Sequence, residues 1–138
     1  MKAKRIGGHK LPIPSRAHSS DAGFDLSANT GFMLPAGNQR IVPTGWALAI
    51  PRGWVGLIRD RSGMACKHRV VVNAGVVDYG YNGEIQVALS NESDEHIWIN
   101  DGDRIAQIVI VPICDGIFSE VDNLADTDRG DNGFGSTG

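Results

Sequence analysis

Between Gly45 and Pro112, apolar and polar residues alternate at period two, in runs too short for anything but strands. Trp46, Leu48 and Ile50 share one face of "GWALAIP", and Ile85, Val87 and Leu89 share one face of "GEIQVALSN", opposite Glu84, Gln86 and Ala88. The segment "HIWIN" alternates likewise, while "RIAQIVIVP" is apolar almost throughout, as a strand covered on both faces would be. Turn-forming clusters separate these runs: "LPAGN", "PRGW", "DYGYNG", "NESDE" and "NDGD". No stretch of helical period reaches three turns, and "SGMACKHR" has room for one or two. Glycine occupies 18 of 138 residues, about twice its usual share, which suits turns better than helices. The pattern predicts an all-β fold, a sandwich, jelly roll or barrel with little helix.

A chain of 138 residues makes one domain with a real core. Apolar periodicity stops after Ile117 and Phe118, so the expected division is a β domain over 1–114 and a C-terminal arm over 115–138. The net charge of −3 provides no global basic field, and neither nucleic-acid nor membrane binding is expected. Cys66 and Cys114 form no C-x-x-C pair, and Cys66-x-His68 is not a zinc spacing. The N-terminal segment lacks the apolar core of a signal peptide, and no window approaches a membrane span. An intracellular, cytoplasmic protein with reduced thiols is expected.

Five short clusters carry chemistry, each with a plainer structural explanation beside it. The terminal "DRGDNGFGSTG" has glycines that let backbone N–H groups turn inward around phosphate, the hydroxyls of Ser136 and Thr137, the cation Arg129 and the flat ring of Phe134. It resembles a phosphate loop with Ser136 at the lysine position, but without the flanking strand and helix; a plain Gly/Ser tail is the alternative. In "RDRSGMA", Arg61, Ser62 and Gly63 combine a cation, a hydroxyl and an unhindered backbone, or else Ser62 simply caps a helix. "NAGVVDYGYNGE" offers a hairpin at Asn73-Ala74-Gly75 whose backbone can face a base edge, then Asp78 to take a proton from water and Tyr81 to pack on a sugar; a plain hairpin is the alternative. "SDAGFDLSA" contains Asp21 and Asp25, either solvated acids at a strand entry or carboxylates for Mg²⁺, which commonly uses one or two beside phosphates and water. Finally, "DGDRIAQ" reads as a turn with a local ion pair at Asp103-Arg104, followed by an outward-facing Gln107.

Taken together and in order, "AGFDL", "RSGMA", "AGVVDYGYNGEI", "GDRIAQIV" and "RGDNGFGSTG" resemble the five motifs of the homotrimeric dUTP pyrophosphatases, spread from Ala22 to Gly138. The resemblance implies a jelly-roll-like β subunit and a homotrimer with composite sites. The first, second and fourth segments come from one subunit, the third from another and the fifth from the last. It implies hydrolysis of dUTP to dUMP and pyrophosphate with Mg²⁺, which keeps uracil out of DNA and supplies dUMP. By the same resemblance Asp78 activates water for attack on the α-phosphorus and accepts the 3′-hydroxyl. Tyr81 lies under the deoxyribose and excludes a 2′-hydroxyl. The backbone of 73–77, with Asn73, Gly75 and Val77, reads uracil. Arg61, Ser62, Gly63 and Gln107 contact phosphates, and Asp25 holds waters of the metal, which the substrate phosphates bind. Phe134 covers the uracil, while Arg129, Gly135, Ser136 and Thr137 close on the β/γ-phosphates.

The chain departs from many members in three places. The turn Asn73-Ala74-Gly75 is one residue shorter, Asp60 precedes Arg61 where proline or a small residue is common, and Asn132 replaces a glycine. Two other readings share the fold: a dCTP deaminase-type sibling, which usually has Phe at the position of Tyr81, and a regulatory member that binds another protein.

Overall fold

A computed structural model describes residues 1–131. Among the described residues, eleven strands and one short helix make up the fold. The strands are β1 (Lys2–Arg5), β2 (Gly23–Ser27), β3 (Phe32–Leu34), β4 (Gln39–Pro43), β5 (Trp46–Ala49), β6 (Trp54–Asp60), β7 (Val70–Asn73), β8 (Val76–Val77), β9 (Gln86–Asn91), β10 (Ile97–Ile99) and β11 (Arg104–Pro112), with α1 (Ser62–His68) between β6 and β7. They form a four-stranded sheet in the order β2-β11-β6-β8, a three-stranded sheet β4-β9-β7, and the pairs β1-β5 and β10-β3. Neighbours in these sheets are far apart in sequence and every pairing is antiparallel, as in a jelly roll.

The core gathers inward residues of both larger sheets: Leu26, Ile58 and Ile108 from one, Val42, Val87 and Leu89 from the other. The alternation of β9 holds, with Val87 and Leu89 fully buried and Gln86 exposed. In β5, Trp46 is buried, but so is Ala47, because the N-terminal strand β1 pairs along that strand. The apolar run of β11 is not covered on both faces throughout. Ile105, Ala106 and Ile108 are buried, whereas Val109 to Val111 are only half-buried.

Two local features position the site. Helix α1 ends on Arg69 in the left-handed region (φ 53°), whose N–H reaches back to the carbonyls of Ala65 and Met64, and the chain turns directly into β7. The Asn73-Ala74-Gly75 turn does not make the expected hairpin. Strand β7 pairs with β9 and β8 pairs with β6, so the turn carries the chain from one sheet to the other. That crossing uses two successive residues of positive φ, Ala74 at 60° and Gly75 at 117°. Beyond β11, residues 113–131 are exposed and contain no strand or helix.

Candidate active site

The first cleft, of about 340 Å³, opens over the outer face of the four-stranded sheet. Asp25 of β2 stands directly opposite Gln107 of β11, so both side chains leave the sheet on the face away from Leu26 and Ala106. Each Asp25 oxygen takes a guanidinium: Oδ1 accepts from Arg61 Nε at 2.9 Å and Oδ2 from Arg104 at 3.0 Å. A carboxylate has about four acceptor positions, so Asp25 retains capacity for water. Its backbone N–H is fixed by the carbonyl of Ser15 at 2.9 Å.

Arg61 itself is the residue at the helix N-cap, in extended conformation, and its carbonyl accepts from Met64 and Ala65. Ser62 is therefore the first helical residue and not the cap, and no side chain caps α1. Ser62 and Gly63 are exposed and line the cleft beside Arg61 and Gln107. A Cβ on Gly63 would meet no atom within 4 Å, so packing within the chain does not require glycine there. Gln107 lies over Gly23, where any side chain would collide with it, and donates through Nε2 to the Asp60 carbonyl at 2.9 Å. The Asp60 carboxylate turns away from the cleft and accepts the Val72 N–H at 2.6 Å, which ties the end of β6 to β7.

The second cleft, about 320 Å³, is lined by Ala74 to Val77, by Asp78 and Tyr81, and by the apolar residues Ile41 and Ile58. Asp78 opens a turn closed by the Tyr81 N–H on its carbonyl at 3.1 Å, and its carboxylate makes no hydrogen bond to another described residue. The Tyr81 hydroxyl donates to the Glu84 carbonyl at 2.9 Å, and the ring lies so close over Gly83 that a Cβ there would meet it at 2.6 Å. Val77 is buried at the cleft floor. The Asn73 side chain points elsewhere, donating to Gln39 Oε1 at 3.1 Å and to the Ser90 hydroxyl, so only its backbone bears on the turn.

The two clefts share no lining residue. Arg129 belongs to a turn in which the Gly130 N–H bonds Thr127, and it is exposed. Phe134, Gly135, Ser136 and Thr137 lie outside the described residues. No group of three or more His, Cys, Asp or Glu side chains is arranged to hold a metal among the described residues. None of the described helices is long and apolar enough to cross a membrane.

Sequence reasoning missed Arg104. The local ion pair expected of Asp103-Arg104 does not form: Asp103 accepts the Asn100 N–H at 2.7 Å, and Arg104 reaches Asp25 across the sheet. The available signal was the consecutive apolar pair Ile105-Ala106 after a turn, which breaks alternation and marks a bulge.

The dUTPase family model matches residues 9–138. A deoxyuridine 5′-triphosphate nucleotidohydrolase of Corynebacterium glutamicum is 49% identical over 132 residues, covering 94% of this chain and 89% of that protein. The protein of the same name from Arabidopsis thaliana is 43% identical over 138 residues, covering 100% of this chain and 82% of the relative. Among solved structures, a Staphylococcus bacteriophage 80alpha dUTPase variant with dUpNHpp superposes at a TM-score of 0.92 with 29% identity, covering 99% and 97% of the two chains. A dUTPase variant from phage phi11 of S. aureus, described as coordinating a structural Mg(II) ion, superposes at 0.84 with 26% identity over 91% and 98%. Two clefts, the ordered segments that line them and these likenesses agree: the chain belongs to the dUTPase family.

Proposed function

We propose that this chain hydrolyses dUTP to dUMP and pyrophosphate, with the two clefts taking the two ends of the nucleotide. The observation that carries the reading is their division of chemistry. One cleft presents a guanidinium, a hydroxyl, an amide and open backbone; the other presents the turn at 74–77, a tyrosine and a carboxylate with no hydrogen-bond partner among the described residues.

In this reading the triphosphate lies along Arg61, Ser62, Gly63 and Gln107. The room above Gly63 admits a phosphate oxygen to the backbone. Uracil faces the backbone of 73–77, where the close approach of Gly75 leaves little room for a 5-methyl group. Tyr81 supports the deoxyribose, its ring held by the bond to Glu84. Asp78 orients a water in line with the α-phosphorus and takes its proton as the bond to the leaving pyrophosphate breaks. General-base assistance of this kind contributes about 10²–10⁴-fold.

The donor set fits Mg²⁺ held mainly by substrate phosphates, since one carboxylate reaching the ion through water is a common protein share. Asp25 is that carboxylate, and both its oxygens are already oriented by arginines. Bound Mg²⁺ would supply charge neutralisation across the phosphate oxygens.

Since the clefts share no residue, we assign them to different subunits of a homotrimer, with segment 115–138 of a third closing over the nucleotide through Arg129, Phe134, Gly135, Ser136 and Thr137. Exposure of Ile41 and Val76 beside the second cleft, and of Ile117, Phe118 and Leu124 after β11, supports assembly. The reaction belongs with intracellular nucleotide pools.

Pyrophosphate release from dUTP, UTP, dTTP and dCTP, measured in parallel with Mg²⁺, tests the reading. Release from dUTP alone is expected. No release from any of the four by folded protein would overturn it, and ammonia release from dCTP would assign the deaminase chemistry instead.

A further inference from the structure

We propose that Arg104 is a positioning residue for the triphosphate cleft: it occupies one oxygen of Asp25 and thereby fixes how Arg61 presents its guanidinium. This deepens the function proposed above and rests on it. Three contacts close a ring. Arg61 Nε donates to Asp25 Oδ1 at 2.9 Å, Arg104 donates to Asp25 Oδ2 at 3.0 Å, and the Arg104 carbonyl accepts from an Arg61 terminal nitrogen at 3.2 Å. Arg104 therefore holds Arg61 twice, once directly through its backbone and once through Asp25.

Geometry separates its task from that of Arg61. An arginine beside a lone carboxylate tends toward a two-pronged pair, in which both carboxylate oxygens face the same fork. With Oδ2 taken by Arg104, Arg61 engages Asp25 through Nε alone. Its outer N–H groups stay directed elsewhere. Arg61 lines the phosphate cleft; Arg104 does not. Arg104 approaches Asp25 from a smaller neighbouring cavity of about 130 Å³, under Leu11 to Ser15, which meets the phosphate cleft at Asp25 and Ala17. Arg104 is thus aimed at the carboxylate and not at the substrate's place.

The backbone is built for this approach. Gln107 faces Asp25, and strict alternation from it would turn Arg104 to the opposite face with Ala106. The bulge between Arg104 and Ala106 inserts Ile105. Ile105 and Ala106 are both buried, at 1% and 0% exposure, and Arg104 is returned to the face of Asp25, opposite Ser27.

The test is steady-state dUTP hydrolysis with Mg²⁺ by the full chain, comparing wild type, Arg104→Gln, Asp25→Asn and the double variant. Arg104→Gln is expected to lower kcat/KM about 10- to 100-fold, the usual range for residues that orient a group at a metal-dependent site. That loss should vanish when Asp25 is already asparagine. Competitive inhibition by dUMP, which lacks the β- and γ-phosphates, should stay within twofold of wild type, whereas general damage to the fold would weaken it as well. Arg104→Lys keeps the charge without the planar fork and should fall between wild type and glutamine. If the glutamine variant does not fold, the lysine variant decides, and undiminished kcat/KM there overturns the inference. So does an equal loss from Arg104→Gln with and without the Asp25 carboxylate, or dUMP binding that falls in step with turnover. Wild type that releases no pyrophosphate overturns the functional reading and this inference with it; normal wild-type turnover with an unaffected Arg104→Gln overturns the inference alone.

Discussion

Gly75 accepts the Ile58 N–H on its carbonyl at 2.7 Å, and a Cβ on Gly75 would stand 2.7 Å from the carbonyl oxygen of Ile58. The turn and β6 are thus as close as backbones can lie, at a residue whose φ of 117° suits only glycine. Gly75→Ala is expected to displace the turn, because the atom in the way is backbone and not a flexible side chain. Loss of dUMP affinity by at least tenfold, read from competitive inhibition, is the expected outcome. An alanine variant that inhibits normally would show that the turn does not set the nucleoside cleft.

Asp78 is exposed on a tight turn and contributes only its carbonyl to that turn. Asp78→Asn keeps the shape and removes the ability to take a proton. Surface changes of this kind shift stability within about 0.5 kcal/mol. Turnover should be abolished while dUTP still binds, as equilibrium binding and single-turnover assays on one preparation would record. Undiminished hydrolysis would remove Asp78 from the mechanism.

The parts of the site that lay within one segment were legible in sequence. Arg61-Ser62-Gly63 and Asp78 with Tyr81 each line a single cleft because a few consecutive residues leave a strand end together. What required the fold was the pairing of distant strands. Nothing in "NAG" tells that β7 goes to β9 and β8 to β6, since a short turn with positive φ serves a hairpin and a sheet crossing equally well. Nothing near Arg104 names Asp25 as its partner, because the sheet order β2-β11 brings together residues from opposite ends of the domain. The acidic Asp60, which in sequence places a negative charge next to Arg61, is turned away by one bond to Val72.

Tyr81 separates ring from hydroxyl in a single pair of variants. Tyr81→Phe loses the bond to the Glu84 carbonyl, worth about 1 kcal/mol, and keeps the ring over Gly83. It should lower the melting temperature slightly and leave the preference for dUTP over UTP intact. Tyr81→Ala removes the platform, so UTP should gain on dUTP in kcat/KM. Equal selectivity in wild type and Tyr81→Ala would take sugar discrimination away from this residue.

Every strand among the described residues lies before residue 113, and residues 113–131 are exposed. Truncation before Arg129 should therefore preserve the melting temperature and the assembly state while reducing dUTP hydrolysis to a small remnant. The loss should be greater for dUTP turnover than for dUMP binding, if the removed segment serves the β/γ-phosphates. Full activity would make residues 129–138 dispensable.

Assignment of the two clefts to different subunits makes a prediction that no single-chain site shares. Arg61→Gln should inactivate the phosphate cleft and Asp78→Asn the nucleoside cleft, each without touching the other. Mixed by unfolding and refolding at equal amounts, two inactive variants of a cyclic trimer produce heterotrimers, each with one site built from an intact Arg61 and an intact Asp78. About a quarter of all sites would then be whole, by the heterologous geometry of a closed ring. Return of roughly that share of wild-type turnover, absent when the variants are mixed without exchange, is the expected result. If both clefts of a site came from one chain, every site would carry one defect and mixing would restore nothing.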